Sequence, residues 1–92
     1  MQKEHKDKIR SNWVRLSEET PFPEVLNHLY QEKIFSKTTI EDILWEKPSE
    51  RNWAFLDALQ RSGPVAYPVF VLTLRKCGKQ DLANLLENGS SL

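Results

Sequence analysis

The stretch RSGPVAYPVFVLTLRKCGKQDLANLLE, residues 61–87, decides the fold. After a break at Gly63-Pro64, its apolar residues recur at the spacing i, i+3, i+4, i+7, i+8 and i+11, which is typical of one helical face. Gly78 then provides the left-handed conformation that ends many helices. The pattern predicts a buried central helix followed by a short last helix. The residues on the two inner faces are Ala66, Val69, Phe70, Thr73, Leu74 and Cys77, then Leu82, Leu85 and Leu86.

Four further helices are predicted before this stretch. The first covers about residues 3–19 and contains Ser11-Asn12, whose side chains compete for backbone hydrogen bonds, so we expect a bend there. A second follows the prolines after it. Thr38 or Thr39 is expected to cap the third and Ser49 the fourth. The chain therefore predicts an all-α bundle of six short helices. The residues expected to face inward are Ile9, Trp13, Leu16, Val25, Leu26, Leu29, Ile40, Ile43, Leu44, Asn52, Phe55, Leu56 and Leu59.

Length and composition indicate one globular domain. The chain has 92 residues, of which 39% are hydrophobic and 28% charged. We expect residues 1–88 to form the domain and residues 89–92 to be a frayed tail. No run of 18 apolar residues occurs, so neither a transmembrane span nor a secretory signal is expected. The single cysteine excludes an internal disulfide, which favours a reducing, cytoplasmic setting.

The residues that could carry chemistry are scattered. His5, His28 and Cys77 lie on three different predicted segments, and no two of them have i, i+3 or i, i+4 spacing, so no metal or other cofactor is expected. Cys77 falls at a core spacing, which predicts an inert buried thiol. Glu41 and Asp42 are consecutive on a helix and diverge, which makes them a poor acid–base pair. We therefore expect a domain without catalytic activity.

The charges alternate along the chain in blocks. The net charge is zero, but residues 1–15, 16–46, 47–79 and 80–92 carry +3, −5, +4 and −2 in succession. This order predicts a molecule with opposed charged faces. The candidate basic face consists of Lys8, Arg10, Arg15 and Arg51. The candidate acidic face consists of Glu24, Glu32, Glu41, Asp42 and Glu46, with Trp45 among them.

Trp45 distinguishes the acidic face from ordinary solvated surface. An aromatic side chain inside a charged rim is typical of the anchor residues where the energy of protein–protein interfaces is concentrated. One alternative is that Trp45 packs back against the turn at Lys47-Pro48. A further alternative is that both charged faces are simply exposed to solvent.

A known family pattern fits residues along most of the chain. The matching residues are Leu29-Tyr30-Gln31-Glu32, Ile34, Ile40-Glu41-Asp42-Ile43, Leu56-Asp57, Leu59, Arg61-Ser62-Gly63-Pro64-Val65-Ala66-Tyr67, Phe70, Leu74, Gly78, Leu82, Ala83 and Leu86-Glu87. Over about residues 3–87 the chain resembles a caspase recruitment domain, or CARD. It is most similar to the prodomains of initiator caspases of the apoptosome type, and next to adaptor CARDs. It departs from that pattern at Ser62, where an arginine is usual, at Trp13, where a basic residue is usual, and at Arg51, which stands alone.

The resemblance implies a six-helix antiparallel Greek-key bundle, the death fold, with a kinked first helix. It also implies homotypic binding, in which a basic face on helices one and four docks onto an acidic face on helices two and three of another CARD. Trp13 would add apolar contact to the basic face. Such contacts are head-to-tail, so higher-order self-assembly is expected. The implied function is to recruit an initiator caspase to an apoptosome-type scaffold, where proximity activates it in apoptosis.

Two other functions compete with this interpretation. The chain resembles adaptor or scaffold CARDs as well, and these present an acidic face to a caspase. A small helical DNA-binding module is the third candidate, but a net charge of zero and an apolar central helix leave no basic reading face. We therefore expect CARD partners, and neither nucleic acid nor membrane.

Overall fold

The computed structural model describes residues 2–88, and in this range it is built of helices without any strand. The all-α prediction is therefore confirmed. The predicted number of six is wrong, because seven helices occur between Gln2 and Asn88. They are α1 (Lys3–Ser11), α2 (Trp13–Glu19), α3 (Phe22–Gln31), α4 (Lys37–Trp45), α5 (Pro48–Gln60), α6 (Ala66–Lys76) and α7 (Gln80–Asn88). The predicted frayed tail, 89–92, lies outside the described residues.

The extra helix arises where the bend was predicted. Asn12 adopts φ −108° and ψ 17°, which is outside the helical region, and divides the first predicted helix into α1 and α2. Its side-chain Nδ2 donates to the carbonyl oxygen of Lys8 at 2.9 Å, so the amide competes with the helical hydrogen bonds as its chemistry predicts.

Two helix starts differ from the predictions. The cap of α4 is Ser36 rather than Thr38 or Thr39, because the Oγ of Ser36 accepts the backbone N–H of Thr39 at 3.1 Å. The cap of α5 is Lys47 and not Ser49. Pro48 occupies the first helical position there, where the ring fixes a helical φ and its missing N–H has no cost.

Four phenylalanine rings hold the centre of the bundle. The ring of Phe55 on α5 lies 5.1 Å from Phe22 of α3, 5.7 Å from Phe35 in the α3–α4 loop and 5.7 Å from Phe70 of α6. The first two pairs meet nearly edge to face, which is a favourable geometry for aromatic rings. Three helices and one loop are therefore fixed to a single side chain.

The α6 helix is the buried centre that its sequence predicted, and it packs mainly against α7 and α3. Its buried face is wider than the predicted stripe, because Tyr67 and Val71 are also buried, whereas Val69 and Cys77 are only partly so. Pro68 is tolerated in α6 because it stands in the first turn, where backbone N–H groups have no helical partner.

Tyr67 ties both ends of the chain to α6. Its hydroxyl donates to the carbonyl oxygen of Leu86 on α7 at 2.6 Å, and the ring of His5 on α1 stacks on it at 4.0 Å. Burial, chiefly, raises the pKa of Tyr67 to about 12, and the carboxylates of Glu4 and Glu87 act in the same direction.

Two helices end in the same left-handed geometry with different residues. After α6, Gly78 has φ +80° and its N–H donates to Arg75, while Lys79 donates to Leu74 at 2.8 Å. After α3, Lys33 has φ +63°, with the equivalent bond from Ile34 to the carbonyl of Leu29 at 2.9 Å. Both are Schellman ends, and only a residue with a Cβ is strained there.

The two helix ends predict opposite effects of removing and of introducing a glycine. Gly78→Ala should lower the free energy of unfolding by about 1 kcal/mol, because a Cβ there would meet no atom within 4 Å and only the backbone cost remains. Lys33→Gly should raise it by about 0.5–1 kcal/mol. Urea unfolding measures both changes. Lys33→Ala is the control, because it removes the charge and keeps the Cβ. If Lys33→Ala stabilised the domain as much as Lys33→Gly, backbone strain at position 33 would not be the cause.

The buried hydroxyl of Tyr67 makes stability depend on alkaline pH. Its pKa is higher in the folded state than the ordinary value of 10.0, so its contribution is complete below pH 10 and is lost as the pH rises to about 12. Tyr67→Phe should cost about 1 kcal/mol at neutral pH and flatten this loss. Denaturant unfolding at several pH values tests it, with the exposed Tyr30→Phe as control. An equally steep alkaline loss in Tyr67→Phe would contradict the assignment.

Candidate interaction surface

The cations of α1 do not form one surface. Lys8 and Arg10 flank the buried Ile9, and at 3.6 residues per turn their side chains point roughly 160° apart. Lys8 lines a shallow groove of about 390 Å³ next to Tyr67 and Arg75. Arg10 is exposed on the other flank.

Arg15 is engaged within its own helix. Its Nε lies 3.2 Å from the Glu19 carboxylate, and this hydrogen bond, more than any other contact, raises the pKa of Arg15. The charge of Asp81 on α7 contributes less, in the same direction. The Arg15 guanidinium is therefore paired within α2, whereas the sequence grouped it with the other cations of the candidate basic face.

An aromatic contact joins α2 to α5. The rings of Trp13 and Trp53 are 5.0 Å apart and tilted by 44°, and next to them the Asn52 amide donates to the carbonyl of Ser17 at 3.3 Å. Trp53 remains 61% exposed. The structure thus brings Trp13 to the helix that carries Arg51 and pairs it with Trp53, which was not among the predicted site residues.

Arg51 has a structural contact that the charge pattern did not indicate. Its Nε donates to the carbonyl oxygen of Glu46 at 3.0 Å and its Nη2 to that of Leu44 at 3.1 Å. These carbonyls are at the end of α4, where helical partners are lacking. The guanidinium therefore caps α4 and lies at the border between the candidate basic and acidic faces.

The residues of the candidate acidic face are all exposed, but they lie on two different helices. Glu41, Asp42 and Glu46 share α4 with Trp45. Glu24 is on α3 instead, in its first turn, and its charge adds to the effect of burial in raising the pKa of Cys77. Glu32 caps the far end of α3.

The end of α4 carries exposed apolar side chains. Trp45 is 89% exposed, so packing against the Lys47-Pro48 turn does not occur. Leu44 was expected to face inward and is 49% exposed, because only a narrow side of this short helix contacts the core. It borders a groove of about 710 Å³ between α3, α4 and α5. The apolar side chains that define this groove are Phe22, Leu26, Tyr30, Ile40, Leu44 and Phe55.

The described residues offer little for chemistry. Cys77 is partly buried, and burial followed by the charge of Glu24 raises its pKa, which disfavours the reactive thiolate. Between Gln2 and Asn88, no three His, Cys, Asp or Glu side chains are grouped to hold a metal ion. In the same range, no helix has the length and apolar character required to cross a membrane.

Exposed charged and aromatic side chains on a small helical bundle are suited to contacts with other proteins. A family model, "Caspase recruitment domain", matches residues 6–89, and the chain belongs to this CARD family. The domain is accordingly a non-catalytic interaction module.

A known protein is similar along the entire chain. Caspase-2 of Gallus gallus is 31% identical over 94 aligned positions, which cover 100% of this chain and 22% of that protein. The chain therefore spans about a fifth of the length of this relative, and the similarity is consistent with a CARD from a caspase prodomain.

The capping contact of Arg51 can be separated from its charge. Arg51→Lys keeps the charge but loses the forked donor, so the free energy of unfolding should fall by about 1 kcal/mol. The amide of Glu46, which closes the last turn of α4, should exchange faster with solvent. Arg10→Lys, at an exposed position, is the matched control and should leave both unchanged. Equal effects of the two variants would show that the two carbonyl contacts contribute nothing.

Proposed function

We propose that this domain recruits an initiator caspase to an apoptosome-type scaffold by binding the scaffold's CARD. The observation that carries the proposal is the similarity to caspase-2 along the whole chain, within a family described by caspase recruitment. The domain comprises residues 1–88 in this proposal, with its helices in the antiparallel Greek-key order of the family. It acts in the cytoplasm, and a protease domain elsewhere in the protein is activated by proximity.

In this proposal the partner binds where α1 and α5 expose their cations. Arg10 and Arg51 meet carboxylates of the partner, and the Trp13–Trp53 pair supplies apolar contact between the charges. In this proposal Lys8, which lines the groove beside Tyr67, and Arg15, which is paired with Glu19, lie at the margins of the surface. Contacts among exposed charges are individually weak and are screened by salt, so several are needed at once.

A second candidate is supported by α4. Three exposed carboxylates around an exposed tryptophan form a surface that suits the basic face of a caspase CARD, as an adaptor or scaffold would present it. The acidic residues of α3, Glu24 and Glu32, extend this surface in that case. With both faces in use, binding becomes head-to-tail and propagates into larger assemblies.

Charge reversal distinguishes the two candidates. Arg10→Glu with Arg51→Glu should abolish binding to an apoptosome-type scaffold CARD if the domain recruits a caspase, because both contacts become repulsive. Glu41→Lys with Asp42→Lys should abolish binding to a caspase CARD if it is an adaptor. Light scattering after size exclusion, at low and high salt, measures the mixtures.

Two controls accompany this test. Lys76→Glu reverses an exposed charge on α6 and should leave binding intact. Arg51→Lys keeps the charge and removes the capping contact with α4, so it measures how much of any loss of binding comes from that contact. Complexes that survive both double reversals would show that neither charged face binds a CARD.

A further inference from the structure

One strip of α4 is exposed and of mixed character. Lys37, Glu41, Leu44 and Trp45 are spaced i, i+4, i+7 and i+8, so they lie along one side of the helix. Trp45 and Leu44 at the end of this strip are 89% and 49% exposed. We call these four residues the α4 ridge. Any contact that removes such an exposed indole from water lowers the free energy of the system.

The apolar groove beside the ridge can receive such an indole. Its volume of about 710 Å³ lies within the range of ligand-binding clefts. Only three charged residues line it: Lys37, Glu41 and Arg51. The two cations can contact the face of an aromatic ring or its neighbouring carboxylates.

We propose that Trp45 of one copy of the domain fills the apolar groove of a second copy, and the reverse, in a closed two-fold dimer. Trp45 is on α4, and α4 also forms one wall of the groove. A single two-fold axis beside this helix therefore brings each Trp45 to the groove of the other copy. We place this axis perpendicular to α4, so that the two α4 helices run antiparallel. This brings Trp45 and Glu46, at the end of one α4, to Lys37 at the start of the other.

The charges match this antiparallel arrangement everywhere except at its middle. Opposite charges meet at the two ends, where Glu46 approaches Lys37 of the second copy. Glu41 is the central residue of α4 and therefore faces its own counterpart across the axis. This repulsion opposes the attraction at the two ends, and salt screens both. The inference goes beyond the proposed function and does not depend on which CARD the domain binds.

Oligomeric state and a matched pair of variants test the dimer. Sedimentation velocity over rising concentration should show a species of twice 10.8 kDa and nothing larger. Trp45→Ala should weaken this species at least about tenfold, as removal of an aromatic anchor does. Trp53→Ala removes an exposed tryptophan from α5 and should leave it unchanged. The dimer should persist at high salt, because its main contact is apolar, in contrast to the proposed CARD–CARD complex.

The two-fold axis makes a gain-of-function prediction at Glu41. Glu41→Gln removes the central repulsion and should tighten the dimer several-fold. In a Cys77→Ser background, Glu41→Cys should form a disulfide-linked dimer under mild oxidation, because the two copies of this residue face each other. Glu24→Cys, exposed on α3, is the control and should cross-link poorly.

Three results would overturn the proposal. The domain could remain monomeric at all concentrations, the dimer could persist in Trp45→Ala, or assemblies could grow beyond two copies through Trp45. Arg10→Glu alone separates the two proposals, because Arg10 lies on α1 and lines no part of the groove, whereas Arg51 does. Loss of CARD binding in Arg10→Glu with the dimer retained is therefore distinguishable from loss of the dimer.

Discussion

The side chain on which the rest of the structure depends is Phe55. Its ring contacts Phe22, Phe35 and Phe70, so α3, the loop before α4, α5 and α6 are fixed relative to one another through one residue. In a chain of 92 residues the core is small, and each aromatic ring contributes a large share of its buried apolar area. Phe22 and Phe55 also line the apolar groove, so the same packing that closes the core shapes the surface beside α4.

The sequence predicted the fold well where one physical cause acts alone. The apolar period of residues 66–77 and the left-handed Gly78 identified α6 and its end, and Asn12 was marked by its competition for backbone hydrogen bonds. Helix starts were less predictable, because neighbouring residues compete for the same role. Ser36, Thr38 and Thr39 can all cap, and the fixed φ of Pro48 displaced Ser49.

The sequence predicted which residues carry the charges of the candidate site, but not where each side chain lies on the folded surface. Blocks of charge follow from the sequence, whereas the groove that Lys8 lines depends on how the helices pack. The exposure of Leu44 was missed because the i, i+3, i+4 rule assigns a width to the buried face that a short peripheral helix does not have. The capping role of Arg51 joins residues five and seven positions apart across a turn, which periodicity does not reveal.

The position of Trp45 couples the two surfaces through one helix. A closed dimer on the α4 ridge would cover Glu41 and Trp45, and so block head-to-tail growth through the acidic residues of α4. It would leave Arg10 and the Trp13–Trp53 pair open, because they lie on α1, α2 and α5. Arg51 lines the groove, so a domain that recruits a caspase through its cations keeps Arg10 and the tryptophan pair available in the dimer but has Arg51 partly covered. An adaptor that binds through α4 must first release its own dimer. The dimer formed by Trp45 would therefore inhibit partner binding more strongly in an adaptor than in a domain that recruits a caspase.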